Sequence, residues 1–140
     1  MENYREAAIR HLNDSERLLK INSVDNAGHL IGFAAECAIK YKIELNNSDN
    51  PKLHFPYILA AAKKRLTGRE CKSLFSVLSS KEDVLKGWDI NYRYYANGTM
   101  QSEDVSKWIL QTKRIFAAAG IRNKKRIKYI TMMHWHALLV

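Results

Sequence analysis

Apolar positions recur at helical spacing along most of the chain. Tyr4, Ala7, Ala8, His11, Leu12, Ser15, Leu18 and Leu19 fall on one face at i, i+3, i+4 and i+7, with Arg5, Glu6, Arg10, Glu16 and Arg17 opposite. This pattern predicts a first helix over about Asn3–Ile21. A second helix is predicted from Asp25 to Leu45, with Ser23 or Asp25 as its cap. Its central run, Asn26 to Lys40, is small and apolar on nearly every side, the composition of a helix buried on several sides. Glu36 sits inside that run, where an unpaired charge is costly, so it requires a partner. Asn46–Pro51 is strong turn chemistry and ends the helix.

Pro56 suits the first turn of a third helix, Tyr57–Leu66, with Gly68 beyond it. A fourth helical piece spans about Glu70–Lys86, with a break allowed at the capping-box sequence Ser79-Ser80-Lys81-Glu82. Residues 88–100 hold Trp88, Tyr92, Tyr94 and Tyr95 and then the turn dipeptide Asn97-Gly98. A last helix starts at Ser102, carries Val105, Trp108, Ile109, Thr112, Ile115, Phe116 and Ala119 inward, and is capped by Gly120. The pattern as a whole predicts an all-α, up-and-down bundle of four to five helices over residues 1–120. Residues 121–140 form a basic and aromatic tail, expected to dock on the bundle or on a second subunit.

At 140 residues the chain is long enough for one domain with a real core. No run of about 18 apolar residues is present, which excludes a membrane span of the usual kind. The first residues, Met-Glu-Asn-Tyr-Arg-Glu, lack a signal peptide's apolar core, so a cytoplasmic location is expected. Cys37 and Cys71 are then expected to be reduced. Charge changes the picture more. The net charge is +9, and it is unevenly placed: residues 1–100 hold 15 Lys/Arg against 12 Asp/Glu, and residues 101–140 hold 8 against 2. No acid follows Asp104. Such asymmetry points to a polyanion or an acidic partner near the C-terminal end.

The order of features resembles the HEPN domain family (higher eukaryotes and prokaryotes nucleotide-binding) over about residues 3–120. The carriers are Ala8, His11-Leu12 and Leu18-Leu19, the Gly32-x-x-x-Glu36-Cys37-Ala38-x-Lys40 core, and Trp88-x-x-x-x-Arg93-Tyr94 before the final helix. The resemblance implies a helical bundle, usually a homodimer, found beside minimal nucleotidyltransferases in bacterial toxin–antitoxin and defence loci. Many members are metal-independent RNases, in which an Arg and a His separated by four to six residues meet across the dimer. This chain departs from that pattern: helix 102–119 has no His, and seven residues separate Arg126 from His134. Arg5 and His11 have the spacing but lie on the first helix, where it turns their side chains well apart.

The candidate site residues follow. Glu36 and Arg93 are expected to form a buried charge pair, with Lys40 one turn away. Arg93, Lys40, Tyr94, Arg122, Lys124 and Lys125 are the candidate ligand-binding residues, offering cations to phosphate and a ring to a base. The catalytic candidates are Arg126, His134 and His136. His134-Trp135-His136 has a spacing two zinc ligands can share, but no Cys or acid lies nearby, so neither metal nor cofactor is expected. The aromatics of 88–95 are expected mainly to plug the bundle's end. His29 and His54 are expected to be ordinary helix and loop histidines. The leading functional expectation is a non-catalytic module binding nucleotide, RNA or a nucleotidyltransferase. The alternatives are an RNase with a displaced site and a pure interaction subunit.

Overall fold

The computed structural model describes residues 1–46 and 49–122. Five helices form it: α1 (Tyr4–Lys20), α2 (Val24–Leu45), α3 (Ile58–Arg65), α4 (Lys72–Leu78) and α5 (Ser102–Ala119). Two 3-10 turns, Arg69–Cys71 and Ile90–Tyr94, lie between them, and there is no strand among the described residues. The fold is the all-α bundle that the periodicity predicts. No described helix is long and apolar enough to cross a membrane.

Local chemistry sets the boundaries of α1. The Asn3 side chain accepts from the Glu6 amide at 3.0 Å and caps the helix. Asn22, at φ 62°, turns the chain into α2 in the left-handed region that Asn tolerates better than most residues. Where the two helices pack, the buried Ser15 hydroxyl donates to the Ala27 carbonyl at 2.7 Å. Such closeness requires small residues on α2.

Helix α2 is the centre of the molecule. Ala27, Ile31, Ala34, Ala35, Ala38, Ile39 and Ile43 are fully buried, and α1 and α5 both pack on it. Its glycines are there for close approach rather than flexibility. A Cβ on Gly32 would stand 2.0 Å from the Trp88 ring, and one on Gly28 would stand 2.1 Å from the Met100 sulfur. The Trp88 indole N–H donates to the Gly28 carbonyl at 2.7 Å, so the ring both fills and closes this groove.

Two expectations for the connections are corrected. The fourth helix stops at Leu78 and does not restart as an α-helix after Ser80. Helix α5 accounts for the break: Gln111 accepts from the Leu85 amide at 2.9 Å, and Trp108 donates to the Lys86 carbonyl at 3.1 Å. These side chains supply partners that a continued helix would have supplied itself. At the start of α2, Ser23 is the cap residue but makes no side-chain cap bond. Asp25 turns to the 98–100 backbone instead. At the other end of the bundle, Gly120 adopts φ 80° and closes α5 as expected, and Ile121 folds back into the core.

Candidate functional site

Glu36 is 8% exposed on the inner part of α2. Its partners come from its own helix and from the connection after it. Lys40, one turn on, donates to Oε2 at 3.1 Å. The Phe55 amide donates to Oε1 at 2.8 Å, and the His54 Nδ1 lies 3.2 Å from the same oxygen. The expected Glu36–Arg93 pair is therefore not formed. The reason is geometric: the 50–57 connection crosses α2 at Glu36 and brings a backbone donor no side chain could better. Asn50 strengthens the crossing by donating to the Lys40 carbonyl at 3.2 Å.

Lys40 is correspondingly spent. Its ammonium is paired with Glu36 and sits 5.9 Å from the centre of the Tyr4 ring, with little of the side chain open to water. A lysine so engaged has little charge left for a ligand. Cys37 beside it is a free thiol, and burial pushes it up to about 11, so it is unreactive at neutral pH.

Arg93 occupies the opposite situation. It lies on the 3-10 turn Ile90–Tyr94, which packs against α2, and it is exposed. Its guanidinium carbon stands 4.8 Å from the centre of the Tyr94 ring. Among the described residues no carboxylate pairs with it; those that do pair with one are Arg17, Lys40, Lys113, Arg114 and His54.

The aromatics of this segment divide by role. Trp88 is buried against α2 and Phe55, and Tyr92 donates its hydroxyl to the Gly87 carbonyl at 2.7 Å while its ring meets Trp108. These two plug the bundle as expected. Tyr94 and Tyr95 do not: they are 74% and 52% exposed.

His29 was expected to be unremarkable, but it belongs to this region. Its ring stacks on Trp88, 6.2 Å between centres at 18°, and meets Phe33 edge-on at 4.7 Å. On the far side of Phe33 lies His11, 5.7 Å away on α1. Burial, and then the charge of Arg93, hold the His29 imidazole below its ordinary value. His11 is lowered too, by burial and then by Arg10. Both shifts favour the neutral imidazole. The sequence signal for His29 was its i, i+4 spacing to Phe33; nothing in the sequence tied it to Trp88 or Arg93.

The 88–100 segment is fastened at both ends to the start of α2. Trp88 holds one end through Gly28, and the Asp25 carboxylate holds the other, accepting from the amides of Gly98 at 2.8 Å and Met100 at 3.1 Å. Those backbone donors keep the Asp25 carboxyl below its ordinary value.

The structure thus puts Arg93 and Tyr94 on a turn packed against α2, the helix that carries His29, and sets Lys40 apart in the Glu36 seam. Arg122 is exposed just beyond the end of α5. Lys124, Lys125, Arg126, His134 and His136 lie outside the described residues.

The comparisons with known proteins agree with the helical architecture. No curated protein and no solved structure matches the chain. A family model described as the HEPN domain matches residues 1–124, nearly the whole bundle and its first basic residues. The chain belongs to the HEPN domain family.

Proposed function

We propose that this chain is a non-catalytic HEPN module that binds nucleotide or RNA, or docks a nucleotidyltransferase partner, in a cytoplasmic toxin–antitoxin or defence system. The supporting observation is the surplus of unspent cations. Among the described residues only Arg17, Lys40, Lys113 and Arg114, of all the lysines and arginines, pair with a carboxylate. Exposed cations such as Arg93 and Arg122 remain, and Lys124, Lys125, Arg126 and Lys128 follow in sequence. Cations without acids to answer them are what a phosphate backbone or an acidic partner neutralises. The non-catalytic part of the reading rests on the absence of His from residues 102–119. In this reading the module works as a homodimer.

Binding to single-stranded RNA at low salt, weakening steeply as salt rises, is the expected result. Absence of binding, or binding indifferent to salt, sinks the nucleic-acid reading. Metal-independent degradation of RNA that His134→Ala abolishes would establish instead an RNase built on Arg126 with His134 or His136. Removal of residues 123–140, which keeps the buried Ile121, is expected to leave the bundle folded and to weaken RNA binding; sizing the truncated protein shows whether the tail also holds the dimer.

A further inference from the structure

The Arg93 turn combines three features. The guanidinium is exposed, has no carboxylate partner among the described residues, and lies over the Tyr94 ring. Tyr94 is largely exposed, and Tyr95 follows it, its ring meeting Tyr92 edge-on at 5.2 Å. On α2, against which this turn packs, His29 is held in orientation by Trp88 and Phe33. Its Nδ1 is buried with no partner, which leaves Nε2 as the nitrogen able to serve a ligand. A planar fork of donors, an imidazole and an open aromatic ring recognise different parts of one molecule: phosphate oxygens and a nucleobase.

We infer that Arg93, His29 and Tyr94 form a site for a phosphate with its adjoining base, supplied by an unpaired strand of RNA or by a free nucleotide. Arg93 holds the phosphate oxygens in its fork. His29 donates to the phosphate from Nε2. The base stacks on the face of Tyr94 that Arg93 leaves open, giving a guanidinium–ring–base sandwich. The inference rests on the nucleic-acid reading above but assigns the binding to the bundle rather than to the tail. It also predicts a preference for unpaired over duplex RNA, because a paired base offers no free face.

The test uses the full chain and a labelled ten-nucleotide oligoadenylate, followed by fluorescence anisotropy at low salt. Arg93→Ala is expected to weaken binding at least tenfold and Tyr94→Ala roughly fivefold or more. Arg93→Lys, which keeps the charge but loses the fork, should fall between wild type and Arg93→Ala. Both side chains are exposed, so thermal unfolding should be unchanged. The His29 imidazole proton resonance, assigned by comparison with His29→Asn, should shift when the oligonucleotide is added to wild type and not when it is added to Arg93→Ala. ATP competing with the oligonucleotide identifies a free nucleotide as sufficient; ATP failing to compete while the strand binds identifies the strand. If Arg93→Ala and Tyr94→Ala bind as wild type does, while Lys124→Ala with Lys125→Ala abolishes binding, this site is overturned and the broader reading survives. If wild type binds neither probe, both fall.

Discussion

Two charged regions, the Glu36 seam and the Arg93 turn, use their charge in opposite ways. At the seam a lysine, a histidine and a backbone amide converge within 3.2 Å of the Glu36 carboxylate oxygens, with the acid and the lysine almost out of water and the histidine at the open edge. At the turn a guanidinium lies over a tyrosine in the open, with no acid to answer it. The first arrangement is closed: every strong donor faces an acceptor, and the connection before α3 is pinned to α2 as a result. The second is open, and its donors remain available. Charge near a helical core therefore does not by itself mark a functional site. What distinguishes one is whether the charge has been answered within the chain.

The sharpest way to break this contrast is to remove the acid. Glu36→Ala leaves Lys40 and the Phe55 amide without their acceptor in a buried place, and should cost about 3–5 kcal/mol in urea unfolding. Glu36→Gln should cost less, because its carbonyl still accepts from Phe55. A loss below about 0.5 kcal/mol for Glu36→Ala would show that the seam is not closed at all. Gly32→Ala should come next, at about 1–3 kcal/mol, since the new methyl must displace the Trp88 ring. The same unfolding curves measure it.

Acid should act more gently, through the histidines. The folded state holds His11 and His29 below the ordinary histidine value, so between the two values the unfolded chain binds more protons. The stability they contribute is fully present above the ordinary histidine range and is lost as pH falls through the lowered values. Melting temperature should therefore decline between pH 7 and pH 5, and His11→Gln with His29→Gln should flatten that decline. An equal decline in the double variant would assign it to other groups. The smallest effect is expected at the open turn, where Arg93→Ala should change stability by less than about 0.5 kcal/mol. A loss matching that of Glu36→Ala would erase the distinction between the two regions.

Much of this was legible in the residues themselves. Small side chains around Glu36 announced a buried helix and a charge in need of an answer, and the Gly28–Gly32 spacing announced close packing. Arg93 was the wrong partner for Glu36. Lys40, one turn along α2, is a real one; the others, His54 and the Phe55 amide, lie in the connection that Asn50 ties to α2, and a main-chain amide has no side-chain signature. Similarly, four aromatics in one segment read alike until Trp88 and Tyr92 proved to be sealed in and Tyr94 and Tyr95 left out. Helix α4 ended early because Gln111 and Trp108, some 25 residues further on, offered the 83–86 backbone other partners. Periodicity reports on near neighbours and is silent about such distant bonds.

The fastening of residues 88–100 to the start of α2 has a consequence for recognition. A surface loop that must be ordered by its ligand spends part of the binding free energy on lost conformational freedom. Here Trp88 on Gly28 and Asp25 on Gly98 and Met100 fix both ends before any ligand arrives. The segment between them is held like a handle bolted at each end, and its entropy was surrendered when the bundle folded. Association at this turn should therefore be fast and nearly rigid. Cutting either bolt, with Asp25→Ala as the milder cut, should slow capture and loosen affinity without touching a single group that meets the ligand.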